Sequence, residues 1–120
     1  MYTLALRKKF IAFHQNADEN PVRSHLYLLE AMLEAEELDD LGMVHDLEAL
    51  DEVLEDVLSN FRDKNLAQVA VFGGVAPTLE VFARVLGNAI DETLYAPNLT
   101  AISVRLWRDE EAWALFDIEK

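Results

Sequence analysis

Cysteine is absent from the 120-residue chain. That excludes disulfides, thiolate metal ligands and thiol nucleophiles. Glycine and proline are scarce, at four and three residues. The single glycine pair, Gly73-Gly74, does not make a phosphate-cradling loop. Basic residues are few: 10 Lys and Arg stand against 23 Asp and Glu, a formal net charge of −13. A field of that sign repels phosphate backbones, so nucleic acid is not an expected partner. Much of the acidic excess lies in EAEELDD (34–40) and DLEALDEVLED (46–56), which read as a turn and a solvated helix face. No apolar run approaches the roughly 20 residues of a membrane-spanning helix. In the N-terminal MYTLALRKKF the charges follow the apolar residues, the reverse of a signal peptide. A cytoplasmic protein with no membrane partner is the expectation.

What is present suits one folded domain over residues 1–120, with 52% hydrophobic and 28% charged residues. YTLALRKKFIAFH (2–14) is rich in aromatic and β-branched residues and has no helical stripe, so it reads as a strand with a basic middle. QNADENP (15–21) is turn chemistry. A second strand runs from Val22 to about Glu36, with Tyr27, Leu29, Ala31 and Leu33 on one face and Leu26, Leu28 and Met32 on the other. After the turn LDDLG (38–42), Leu47, Leu50, Val53, Leu54, Val57, Leu58 and Phe61 repeat at three and four, the period of a helix. FRDKNLAQVAVFGGVA (61–76) is an irregular connection. Pro77 suits a first helical position, and Leu79, Phe82, Ala83, Leu86, Ala89, Ile90 and Leu94 form a second stripe. TAISVRLW (100–107) and AWALFDI (112–118) then alternate as a hairpin around RDEE.

The order ββααββ implies an α+β fold with a four-stranded antiparallel sheet and two helices packed on one face. Two helices cannot cover both faces of four strands. A strand apolar on both sides needs cover on both, which points to further copies of the same chain, a homo-oligomer.

Several local motifs, in this order, resemble the 6-pyruvoyl-tetrahydropterin and 6-carboxytetrahydropterin synthase family, whose fold is the T-fold. FIAFH (10–14) is similar to the family's F-x-A-x-H, and RSHLY (23–27) falls where the family has H-G-H-x-Y. GMVHDL (42–47) is similar to G-M-V-x-D-F, and APTLEVFA (76–83) to P-T-x-E-x-x-A. VRLWRD (104–109) lies where a family strand ends in E-T. The resemblance runs nearly end to end. It implies zinc, a dihydroneopterin-triphosphate-like substrate, sites between subunits, and a trimer or hexamer in which the strands close a barrel.

Carried over residue by residue, the resemblance makes His14 and His25 metal ligands, with Arg23 in the third histidine position. A guanidinium has no lone pair to give and stays protonated, while catalytic zinc usually takes three protein ligands. Zinc is therefore expected to be weakened, with no metal at all as the alternative. Asp18 or Glu19 from the loop, or less aptly His45, are candidate replacements. Glu19 stands four residues before Arg23, at the spacing of the family's catalytic cysteine, and a carboxylate there can act as a general base. The acidic ADEN context also suits an ordinary loop residue.

Arg62 and Asp63 replace the family's Asp-His relay, leaving Asp63 as the candidate for any rebuilt proton transfer. Thr78 and Glu80 fall in a helix start used near the pterin, although Glu80 also suits a helix dipole and Asp46 a helix start. Arg108 replaces the glutamate that pairs with the pterin's guanidine-like edge. It offers donors where acceptors are required and favours an anion instead. By strand alternation Asp109 is expected on the opposite face from Arg108, and Glu110 on the same face but within the turn. Trp107 and Trp113 read as core or interface aromatics. The chemistry implied is a weakened or altered lyase acting on a small heterocycle. The alternative from another class is a non-catalytic scaffold or regulatory subunit.

Overall fold

The computed structural model describes residues 1–14 and 22–120. Its order is β1 (Tyr2–His14), β2 (Arg23–Ala35), α1 (Leu47–Leu58), α2 (Leu79–Thr93), β3 (Ala101–Arg108) and β4 (Ala112–Glu119), with two short 3-10 turns, Leu66–Gln68 and Ala70–Phe72, between the helices. The four strands form one antiparallel sheet in the order β1-β2-β3-β4. The α+β expectation holds, and the strand limits agree within a residue or two. No helix among the described residues is long and apolar enough to cross a membrane.

Local chemistry explains the helix ends. Asp46 caps α1, its carboxylate accepting from the backbone N–H groups of Glu48 and Ala49. Thr78 caps α2 by accepting from the Val81 N–H at 3.1 Å. This corrects the expected helix start at Pro77: the threonine hydroxyl supplies the cap, so Pro77 lies just outside the helix. At the other end α1 stops at Leu58, and Phe61 is buried from the turn that follows.

Alternate residues of each strand face the helices. Phe10 and Ala12 of β1, Tyr27, Leu29, Ala31 and Leu33 of β2, and Ile102, Val104 and Leu106 of β3 are buried there. Leu50, Leu54, Val57 and Leu58 of α1, and Phe82, Ala83, Leu86 and Ile90 of α2, complete this core.

Among the described residues no helix lies over the other sheet face. Trp113 and Leu115 are about half exposed there, and Leu26 and Ile11 only slightly less. Within this face Glu30 is 5% exposed. It accepts from Arg7 Nε at 2.7 Å on β1 and lies 3.6 Å from Arg105 on β3. The Arg105 guanidinium sits 4.7 Å from the Trp113 ring centre.

Helix α2 rests closely on the β3–β4 hairpin at Gly87. A Cβ there would lie 2.8 Å from a Phe116 ring carbon and 3.5 Å from a Val104 methyl. Alanine would favour the helix by about 1 kcal/mol, but overpacking costs about 1–3 kcal/mol. Gly87→Ala is therefore expected to destabilise the fold by about 1 kcal/mol in chemical denaturation. Adding Phe116→Leu should recover part of that loss.

Candidate functional site

The candidate residues collect at one end of the helix-covered sheet face, where β1 and β3 finish and β2 begins. His14 is directly opposite Arg23 in the β1–β2 register, and His25 is opposite Ala12. His14, Arg23 and His25 thus share a face, with His25 one same-face step from Arg23. Tyr27 follows on that face and pairs across with Arg108 of β3.

An aromatic cluster lies beneath. Tyr27 stacks on Phe10 with ring centres 5.2 Å apart and meets Phe82 edge-on at 5.2 Å. Phe61 and Phe72 close the cluster around Phe82. Burial pushes the Tyr27 phenol up to about 12 against the lowering field of Arg108, so it stays neutral at ordinary pH. His25 sits above, its ring 6.2 Å from that of Tyr27.

Asp109 does not follow strand alternation. β3 ends at Arg108, and Asp109 and Glu110 both take left-handed backbone conformations, φ 52° and 63°. The turn carries the Asp109 carboxylate back over β2. Oδ2 lies 2.6 Å from His25 Nδ1, and Oδ1 accepts the Leu26 N–H at 2.9 Å. The Asp109 N–H in turn donates to the Leu26 carbonyl at 2.7 Å. Desolvation works to raise the Asp109 carboxyl, but the bonds from His25 and Leu26 together hold it below its ordinary value. Glu110 also departs from expectation, lining a small hollow with Arg7, Leu28 and Trp107 on the open face. Nothing in the spacing of RDEE signals this geometry, because the sequence has no glycine to mark the left-handed turn.

The other candidates are placed less centrally. Thr78 is committed to capping α2, and Glu80 lies exposed in the first turn of that helix. Thr78 stands one turn before Phe82, so this helix start borders the aromatic floor. Asp63 adopts φ 60° and its N–H donates to the Ile11 carbonyl at 2.7 Å, so its backbone hooks onto the edge of β1. Its carboxylate makes no hydrogen bond among the described residues. Arg62 binds Glu55 of α1 at 2.9 Å instead of pairing with Asp63. Glu19 and Asp18 lie outside the described residues.

Among the described residues no three His, Cys, Asp or Glu side chains group closely enough to hold a metal ion. Among the described residues the register brings two imidazoles, His14 and His25, to this end of the sheet beside the Arg23 guanidinium. That does not complete a three-ligand zinc site.

The model of the 6-pyruvoyl tetrahydropterin synthase family matches residues 4–119. The chain belongs to that family. Among solved structures, 6-pyruvoyl tetrahydropterin synthase of Caenorhabditis elegans is 20% identical with a TM-score of 0.77, the match covering 99% of this chain and 95% of that one. A catalytic-residue mutant of the Plasmodium vivax enzyme has a TM-score of 0.80 at 11% identity, covering 99% and 98%. The Plasmodium falciparum enzyme has a TM-score of 0.79 at 11% identity over the same shares. At these identities the structures establish the shared T-fold. No match is found among curated proteins. The four strands and two helices of that fold are all present here.

Arg62 belongs to a charge network on the helix side of β1. Lys8 of β1 binds Asp51 at 2.7 Å and Glu55 at 2.9 Å, and Glu55 also binds Arg62. The bond from Arg62, then that from Lys8, lowers the Glu55 carboxyl to about 2. A depressed carboxyl adds stability above its unfolded value of 4.5 that is lost as pH falls toward 2. With the side chain 41% exposed, solvent screens much of this. Glu55→Gln is expected to flatten the acid limb of stability between pH 4.5 and 2, measured by urea denaturation, with little change in the curve's shape at neutral pH. A separate expectation concerns the strained turn. A side chain in a left-handed conformation costs roughly 1–2 kcal/mol, so Glu110→Gly should raise stability by up to about 1 kcal/mol once glycine's greater unfolded-state entropy is subtracted.

Proposed function

We propose that the protein is a divergent 6-pyruvoyl/6-carboxytetrahydropterin synthase-like protein that binds a pterin-like small molecule at subunit interfaces, with the usual lyase chemistry weakened or altered. Family membership over residues 4–119 supports the ligand class. The observation that carries the divergence is Arg108, which pairs with Tyr27 across the helix-covered face and whose guanidinium makes no hydrogen bond or ion pair among the described residues. A guanidinium repels the guanidine-like edge of a pterin and binds a carboxylate or phosphate by paired donors. The ligand therefore carries an acidic substituent toward Arg108, with Thr78 and Glu80 bordering it from α2.

Zinc is held weakly by His14 and His25, because Arg23 gives no lone pair and adds repulsion. Zinc, where bound, supplies Lewis acidity. The chain's own contribution is a lone pair from His25, an anion clamp from Arg108 and a proton acceptor in Glu19 or Asp63. A glutamate is the catalytic residue altered in the Plasmodium vivax mutant, which supports Glu19 as the general base here.

The open sheet face favours assembly. Trp113 and Leu115 are about half exposed, and copies of the chain closing a barrel, as a trimer or hexamer, would cover them. The same face supports a second reading, a non-catalytic T-fold scaffold or regulatory subunit.

Calorimetry with 6-carboxypterin and with unsubstituted pterin separates these readings. The ligand-binding reading expects the carboxylated compound to bind more tightly, and Arg108→Glu to reverse that order. Binding of neither compound, together with no zinc by metal analysis, supports the scaffold. Arg23→His is expected to raise zinc affinity; if it holds no more metal than the parent, residue 23 lies outside the site.

A further inference from the structure

We infer that Asp109 is a positioning residue that fixes the His25 ring in the Nδ1–H tautomer, so that Nε2 presents its lone pair to whatever the site binds.

A neutral imidazole carries one proton, and the hydrogen bond made by one nitrogen decides the role of the other. Asp109 Oδ2 is 2.6 Å from Nδ1. An ionised carboxylate only accepts hydrogen bonds, so Nδ1 must donate and Nε2 is left as the acceptor. Asp109 is itself held at both ends: Oδ1 accepts from the Leu26 N–H, and its own N–H donates to the Leu26 carbonyl. Its side chain thus has little freedom to leave the ring.

The backbone supports a built feature. Asp109 and Glu110 both occupy the left-handed region with no glycine between them, a conformation that costs energy and is maintained by its surroundings. An ordinary two-residue turn of this type would favour Asp-Gly or Asn-Gly. The strain is what returns the carboxylate to the helix-covered face after the strand ends. An imidazole so oriented can take a proton from a bound molecule or donate a lone pair to a cation, and both uses require the ring to be held before binding. His25 of β2 and Asp109 of the β3–β4 turn thus form a carboxylate–imidazole pair from separate elements.

The inference rests on the proposed function only in taking His25 as the residue that meets the ligand. Its test reads the ring itself in protein without ligand or metal. The chain has three histidines, so long-range 1H–15N spectra of 15N-labelled protein in alkaline buffer resolve each ring, with His25→Gln giving the assignment. The expected result is the Nδ1–H tautomer for His25 in the parent, against the Nε2–H form that free imidazoles prefer. Asp109→Asn is the decisive variant. Its carbonyl oxygen can keep the Leu26 N–H bond while its amide donates to Nδ1, so the turn survives and His25 switches to Nε2–H. Asp109→Ala should also revert to Nε2–H. An Nε2–H ring in the parent, or an Nδ1–H ring that persists in folded Asp109→Asn, overturns the inference. Failure to bind pterin or zinc bears on the proposed function alone.

Discussion

The packing of Tyr27 between Phe10 and Phe82 sets the geometry on which the rest depends. These rings come from β2, β1 and α2, and their centres lie 5.2 Å apart on each side of Tyr27. Aromatic contacts at such distances add to the burial energy of large side chains and restrict how they can shift. Tyr27 is 2% exposed, so the joint between sheet and helices is sealed immediately below His25. The connection after α1 adds Phe61 and Phe72 to the same cluster, and its backbone hooks onto the edge of β1 through Asp63 and Lys64. Sheet, helix and connection are thus tied together directly under the polar cluster, and the height of that cluster above the core follows from ring thickness.

Above this floor the charge has a particular character. The protein as a whole is strongly acidic, yet Arg23 and Arg108 stand at this end of the sheet beside two imidazoles. Asp109 is already engaged with His25 and the Leu26 N–H. Similarly, Arg62 is engaged with Glu55 and braces α1 against the connection.

Most of the architecture was legible in the sequence because it is written in periodicity. The stripes of α1 and α2 and the alternation of β3 and β4 match the burial observed, except that Leu47 at the start of α1 is exposed. The leucine-rich run of β2 could pass locally for a helix, and the resemblance to the family is what supports a strand there. What could not be read was local and three-dimensional. Pro77 looked like a helix start, but Thr78 carries the capping oxygen. Asp109 was expected on the opposite face because alternation was extended one residue past the strand, and the left-handed turn undoes it. Glu30 gave no signal at all, being one acid in a leucine-rich strand whose partners come from two other strands. Glu19 lies outside the described residues, so only its spacing speaks for it.

That single acid has a further consequence. Sheets slip most easily where neighbouring positions are chemically interchangeable, and leucine-rich β2 offers many such positions. Sliding β2 by one residue against either neighbour would send every side chain of the shifted strand to the wrong face. Sliding by two would keep the faces correct and leave the hydrophobic pattern nearly satisfied. Glu30, gripped by Arg7 on one flank and reaching toward Arg105 on the other, works against that near-degenerate alternative, since a buried acid would lose the two arginines that hold it. The Arg7–Glu30–Arg105 trio thus acts as an alignment key between three strands, and it suppresses the misfolded pairing that greasy side chains alone would tolerate.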